Sequence, residues 1–457
     1  TAVGYNSLGA NTTGTQNTVV GSIAGDAITT GGSNSAFGYA ALGVNSTGDN
    51  NTAIGRGSLG NSTASNNSAL GYNALNATTS GDHNAAVGTN ALLSNTTGAN
   101  HTAIGSAALY SNTTGGSNTA VGRKALFSNT TGDTNVAVGR IALEDATTAT
   151  GNVAMGYGAA RNTTTGGSNV ALGYLALDTN TTGGNNVAVG FEALDANTTA
   201  SNNTAVGYQA LTSNTTGTEN VAVGRLALNA NTTADYNTAF GTNTLFANTT
   251  GANNTAVGRS ALESNSTASN NTAFGYNALN ANTTGIRNIA IGSTALDANT
   301  TASYNVAIGY ASLGATTTGD ENVAVGDNAL AANTTGQDNT AVGTSALNAN
   351  TTATKNTAVG FGSLNAATTG AYNTAVGALA GDAITSAAGN SALGYLALSA
   401  ETQGKASVAI GYEALKLQNT TSDSFIFNTA VGYGAGAAVT TGTQNTFVGG
   451  LAGDGTT

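Results

Sequence analysis

A period of 17 residues governs almost every position of this chain, and a repeat that strict leaves few ways to fold. The consensus unit reads (T/V)-A-V-G-x-x-A-L-x-x-N-T-T-G-x-x-N, and Thr272 to Asn288 is a clean copy. There are 26 complete units and a partial one from Thr446. Position 4 is Gly in all 27, from Gly4 through Gly207 to Gly449. Position 2 is Ala in all but two, position 8 is Leu in 22, and position 17 is Asn in 24 of the complete units, with His101 and Ser407 as exceptions. Only two units change length. The unit from Thr52 is one residue short, and Val408 to Asn428 carries four extra residues around Ser424, Phe425, Ile426 and Phe427. So few insertions imply stacking, because a slip in one coil would push every later side chain off its column.

The pattern predicts an all-β fold, a parallel β-solenoid or β-roll of about 27 stacked coils. Positions 1 to 3 read as one short strand closed by the Gly, and positions 5 to 8 as a second closed by the polar N-T-T-G turn. Gly at position 4 marks a corner that needs a positive φ or a very close backbone approach. Ala at position 2 implies two backbones pressed together, with positions 3 and 8 filling the wider core. Asn at position 17 is expected to stack into a hydrogen-bonded amide column, although Asn is also a good turn residue. At the spacing of β-strands such a stack would be a rod of roughly 130 Å. The whole chain, 1–457, reads as a single array: regular coils over 1–407, the inserted coil over 408–428, and terminal variants over 429–457. It begins on the first residue of a unit and stops inside one, as a piece of something longer would. Each coil offers few apolar side chains, mostly Ala, and so thin a core is expected to pack against other copies.

Composition narrows the function. Charged residues are 7% of the chain, net charge is −11, and there is no Cys, Pro or Trp. No basic patch points to nucleic acid, no apolar run is long enough for a membrane helix, and no thiolate metal site or disulfide is possible. The apolar residues, 40% of the chain, recur too regularly for disorder.

The element N-(S/T/V)-(V/A)-A-(I/V)-G, seen in Asn135-Val136-Ala137-Val138-Gly139 and Asn305-Val306-Ala307-Ile308-Gly309, resembles the head repeat of trimeric autotransporter adhesins. The longer unit, Asn203 to Leu211 followed by Asn214-Thr215-Thr216-Gly217, is similar to repeats of phage tail-fibre-like and bacterial surface proteins. The resemblance implies a left-handed parallel β-roll, a homotrimer or bundled filament, and a place outside the cell, on a cell surface or on a virion. The period here is longer than that of the adhesin repeat.

Little in the sequence suggests catalysis, and no enzyme, cofactor or metal is expected. His83 and His101 fall at turn or ladder positions, and carboxylates at position 9, such as Asp178 and Asp195 on adjacent coils, are expected in solvent. Gly432-Tyr433-Gly434-Ala435-Gly436 lacks the Lys of a phosphate loop. Three repeated features could carry function. The aromatic column at position 5, through Tyr157, Tyr174, Phe191 and Tyr208, could stack on the sugars of a host-surface or glycan ligand, or on itself. The N-T-T turns match the N-glycosylation pattern at Asn11, Asn95, Asn112, Asn129, Asn180, Asn197, Asn214, Asn231, Asn248, Asn282, Asn299, Asn333 and Asn350, although Asn and Thr also suit turns and ladders. The Thr array could match ice. Two A-G-D-A-I-T variants, Ala24 to Thr29 and Ala380 to Thr385, read as edge or junction coils, and Phe425 to Phe427 as a docking loop. A structural fibre or adhesin shaft is the leading expectation, with a carbohydrate- or ice-binding solenoid as the alternative.

Overall fold

A computed structural model describes residues 1–455. The chain is an all-β parallel solenoid with about 17 residues per coil, and no described residue is helical. It divides into two compact units, Thr1–Thr233 and Ala234–Thr457. The first carries fourteen strands, β1 (Ala2–Val3) to β14 (Val221–Val223), and the second thirteen, β15 (Thr238–Phe240) to β27 (Thr446–Val448). Within each unit every strand pairs in parallel with the next. The register is that of the repeat, as in Val187↔Thr204, Ala188↔Ala205 and Val189↔Val206.

Each coil has one strand, not two. Positions 1 to 3 are extended, but positions 5 to 10 form consecutive turns. The reason lies in the backbone: positions 6 and 8 are left-handed, as at Gln209 (φ 51°) and Leu211 (φ 52°). A left-handed Leu costs about 1–2 kcal/mol. Leu211 is fully buried, and burying a Leu side chain returns about 1.5–3 kcal/mol, which offsets that strain.

This backbone redistributes the side chains. Positions 2, 7, 8, 11, 14 and 17 point inward, as Ala273, Ala278, Leu279, Asn282, Gly285 and Asn288 do. Position 3, expected in the core, instead faces out in every coil, because alternation along the strand sends position 2 inward and positions 1 and 3 outward. The apolar half of the core is therefore Ala, Ala and Leu per coil.

The other half is polar and holds two Asn columns. At position 17, Asn203 Oδ1 accepts the backbone N–H of Asn220 (2.9 Å) and its Nδ2 donates to the carbonyl of Gly217 (2.9 Å). At position 11, Asn214 Nδ2 donates to Asn197 Oδ1 on the previous coil (3.1 Å) and to the same Gly217 carbonyl (2.9 Å). One carbonyl per coil thus gathers both columns. The main amide-to-amide ladder is at position 11, whereas position 17 chiefly ties side chain to backbone. At position 12, Thr215 Oγ1 and the N–H groups of Thr215 and Thr216 all donate to the carbonyl of Thr232 (2.9–3.3 Å).

Departures from consensus compensate one another. Where Leu at position 8 becomes Gly25 or Gly381, buried Ile28 or Ile384 at position 11 fills the space; Ile28 Cδ1 lies 2.9 Å from where a Gly25 Cβ would stand. The A-G-D-A-I-T units are therefore exchanges between two core positions. In the four-residue insertion Ile426 is buried, while Phe425 and Phe427 stack outward with centroids 5.4 Å apart.

Gly at position 4 meets both expectations for it. At Gly207 φ is +139°, and an added Cβ would stand 2.4 Å from the carbonyl oxygen of Gly224 on the next coil. Gly389 has φ +68° with nothing within 4 Å of an added Cβ. Gly207→Ala should destabilise the fold by at least about 3 kcal/mol in urea unfolding, and Gly389→Ala by only about 1 kcal/mol, the left-handed penalty alone. Equal losses would mean that the coil-to-coil contact is not the constraint.

Candidate functional site

The chemistry-bearing side chains lie in columns along each unit, so a column is the natural candidate site. At position 5, Tyr157, Tyr174, Phe191 and Tyr208 stack face to face with centroids 5.3, 5.3 and 5.4 Å apart and planes within 13° of parallel. Arg140 covers the outer face of Tyr157 at 5.6 Å, and Arg225 that of Tyr208 at 6.0 Å. Every ring face in this run is occupied and only edges reach solvent. A pyranose stacks on a face, so the geometry favours self-stacking over the sugar ladder. The same logic holds at Arg56, which lies between the rings of Tyr39 and Tyr72 at 5.6 and 5.9 Å.

The sequon asparagines separate into two groups. Asn95, Asn112, Asn129, Asn180, Asn197, Asn214, Asn231, Asn248, Asn282, Asn299, Asn333 and Asn350 are fully buried at position 11. Nδ2, the atom that would carry a sugar, donates inside the core, as from Asn197 to Asn180 Oδ1 (2.9 Å) and to the Ala200 carbonyl (3.1 Å). A glycan there has no room in the folded coil, which corrects the expectation of a sugar coat on these residues. Asn11, in the first coil, is exposed. Thr at position 12 commits its hydroxyl to the next coil, as Thr96 Oγ1 does to the Thr113 carbonyl (2.9 Å), while Thr at position 13, such as Thr97, is exposed. Within the turn, the exposed Thr are thus a single column.

His101 replaces Asn at position 17 and reproduces its bonding. Nδ1 accepts the N–H of Asn118 (3.2 Å), as an Asn Oδ1 would, and Nε2 lies 2.6 Å from the Gly115 carbonyl. These partners require a neutral ring with the proton on Nε2. Burial, the largest influence, holds its pKa below the usual value, against the two backbone hydrogen bonds and Asp133.

Acidic residues at position 9 are less solvated than their sequence suggests. Asp178 is buried and pairs with Arg161 (2.9 Å), yet its Oδ1 has no partner. Asp195, one coil on, is pushed up to about 6 by burial first, then by Asp178 and Glu192. A raised carboxyl costs stability when ionised, so this site gains stability as pH falls through about 6. Glu401 replaces Asn at position 11 and is fully buried. Its Oε1 accepts the N–H groups of Thr402, Gln403 and Gly404 (2.7–3.0 Å), and its Oε2 accepts from Gln418 (2.9 Å). Gln418 also reaches Ser407, the short residue in the position-17 column (3.0 Å). Lys405 pairs with Asp423 in the insertion.

An open concavity of about 370 Å³ lies over Ile23, Asp26, Ala40, Val44, Gly57 and Gly60, and Asp26 is the only titratable residue lining it. Among the described residues no three His, Asp or Glu side chains converge as a metal ion requires, and no helix is long and apolar enough to cross a membrane. Position 11, with its buried amides, is the element that sequence reasoning placed wrongly. The signal was present: Ile28 and Ile384 stand there in the two coils where Gly25 and Gly381 replace the core Leu. Compared with protein-family models and with curated proteins, the chain matches none.

Two outcomes follow from these columns. The difference in stability between the parent chain and His101→Asn should change with pH. Above pH 6.5 the neutral imidazole is complete; as pH falls, the unfolded chain takes the proton first and the parent loses stability that the variant keeps. A pH-independent difference between 7.5 and 5 would show that His101 does not titrate as described. Made in a glycosylating host, the chain should show, by peptide mass mapping, unmodified asparagines at all twelve buried sequons. Glycan on Asn214 in folded protein would contradict the buried amide ladder.

Proposed function

We propose that this chain is a structural solenoid, the shaft of a fibre or adhesin that works by stacking and by associating with further copies of itself. The observation that carries this reading is where the polar chemistry goes. Asn, Thr, Tyr and His side chains are spent on coil-to-coil contacts, as at Asn214, Thr215, Tyr174 and His101. Outward on the strand face, beside a position 1 that is mostly Thr, Ser or Val, runs an apolar column: Ile104, Met155, Phe274 and Ile308 at position 3 are each more than a third exposed. Such a ladder on a soluble face marks an interaction surface, and a thin core built largely of Ala gains from covering it. A location outside the cell or on a virion is supported by the resemblance to adhesin-head and tail-fibre-like repeats.

Electron microscopy of the purified chain should show straight rods that persist after protease treatment. Globular particles would overturn the fibre reading. Specific retention on a glycan array, lost in a Tyr174→Ala, Tyr208→Ala variant, would replace it with the sugar-binding alternative.

A further inference from the structure

The outward strand face of the first unit is bordered by charge of opposite sign. On the side that precedes the strands, positions 15 and 16 carry Asp49, Asp82, Asp133 and Glu219, with no Lys or Arg. On the side that follows them, positions 5 and 6 carry Arg56, Arg123, Lys124, Arg140 and Arg225 against one acid, Glu192. Lys124 is paired with Glu144, and Asp82 with His83. The others that matter here are exposed: Asp49, Asp133 and Glu219 on one side, Arg56, Arg140 and Arg225 on the other. None of these six forms an ion pair within the chain among the described residues.

They are also matched in height. Asp49 and Arg56 flank β4 (Thr52–Ile54), Asp133 and Arg140 flank β9 (Val136–Val138), and Glu219 and Arg225 flank β14. Within one chain each acid and its Arg stand on opposite borders of the face, roughly 15–20 Å apart at the rise of an extended chain. They are out of reach of each other. Between them runs the apolar position-3 ladder, with Ile54, Val87, Ile104 and Met155 among its exposed members.

We infer that this face pairs with the same face of a second copy, parallel and in register, about a two-fold axis that runs along the stack. This inference rests on the self-associating reading above and supplies its geometry. Rotation about that axis turns the acidic border of one copy onto the basic border of the other, so Asp49 meets Arg56, Asp133 meets Arg140 and Glu219 meets Arg225, each pair twice. Rotation about an axis along the strands, the antiparallel arrangement, would set acid on acid and base on base. Packed sheets stand about 10 Å apart, which Arg side chains on the borders can bridge. Fourteen position-3 side chains at roughly 50 Å² each cover on the order of 700 Å², close to the about 800 Å² per partner of a stable interface. A surface with the same coil spacing is also the one surface that keeps this ladder in register along its whole length.

The test uses the full chain in two charge-reversed forms, Arg56→Glu/Arg140→Glu/Arg225→Glu and Asp49→Lys/Asp133→Lys/Glu219→Lys. Light scattering on a sizing column should give a dimer for the parent. Each reversed form alone should be a monomer, with apparent Kd raised at least tenfold. An equimolar mixture of the two should recover the dimer, which a folding defect could not do. Because the chain has no cysteine, Asp133→Cys/Arg140→Cys should be crosslinked between copies by a bis-maleimide that spans about 10 Å, the separation of packed sheets. A monomeric or trimeric parent, or no rescue on mixing, would overturn the pairing. Trimeric rods in the microscope would do so while leaving the self-associating fibre reading intact, whereas monomeric rods would overturn both.

Discussion

Everything in this protein depends on each coil lending its backbone to the next. The strand N–H and C=O groups pair in parallel, Gly207 and its equivalents bring successive coils into carbonyl contact, and the turn carbonyls are gathered by Asn and Thr of a neighbouring coil. A buried backbone group without a partner costs about 1–3 kcal/mol, and a coil of this size has several. The partners recur because the next coil begins 17 residues later in all but two coils, and those two keep the strand register. That requirement, more than any apolar contact, holds the period.

It also explains the split core. Ala and Leu supply the apolar half, but three small or medium residues per coil bury too little to organise the turn opposite them. The two Asn columns do that instead, meeting at one carbonyl per coil. Where a substitution disturbs this arrangement, a second one repairs it. His101 imitates both ends of an amide, and Gln418 and Glu401 lengthen the position-11 column where Ser407 shortens the other. The core is polar by design at these places, and its hydrogen bonds are almost all closed.

Surfaces follow from the same geometry. A column repeats one chemistry at one spacing, so it either contacts itself or offers a long uniform stripe. The aromatic column takes the first course, stacking ring on ring between arginines. The position-3 column takes the second. A fibre or an assembly of copies uses such a stripe well, because a partner with the same spacing meets it at every coil.

The sequence alone determined the all-β solenoid, the coil length, the Gly corner, the small residue at position 2 and the presence of an Asn column, since each is a periodic pattern with one physical reading. It was misleading on what faces where. Alternation predicts side-chain direction only along extended backbone, and the left-handed residues at positions 6 and 8, Gln209 and Leu211 among them, break that rule just after the strand. The tertiary structure therefore decided that the chain between the Gly and the N-T-T turn is not a strand. It also decided that Val, Ile and Phe at position 3 lie outside, and that the sequon asparagines lie inside. Those choices rest on which carbonyls of the neighbouring coil each turn must satisfy, and no single 17-residue unit contains all of its own partners.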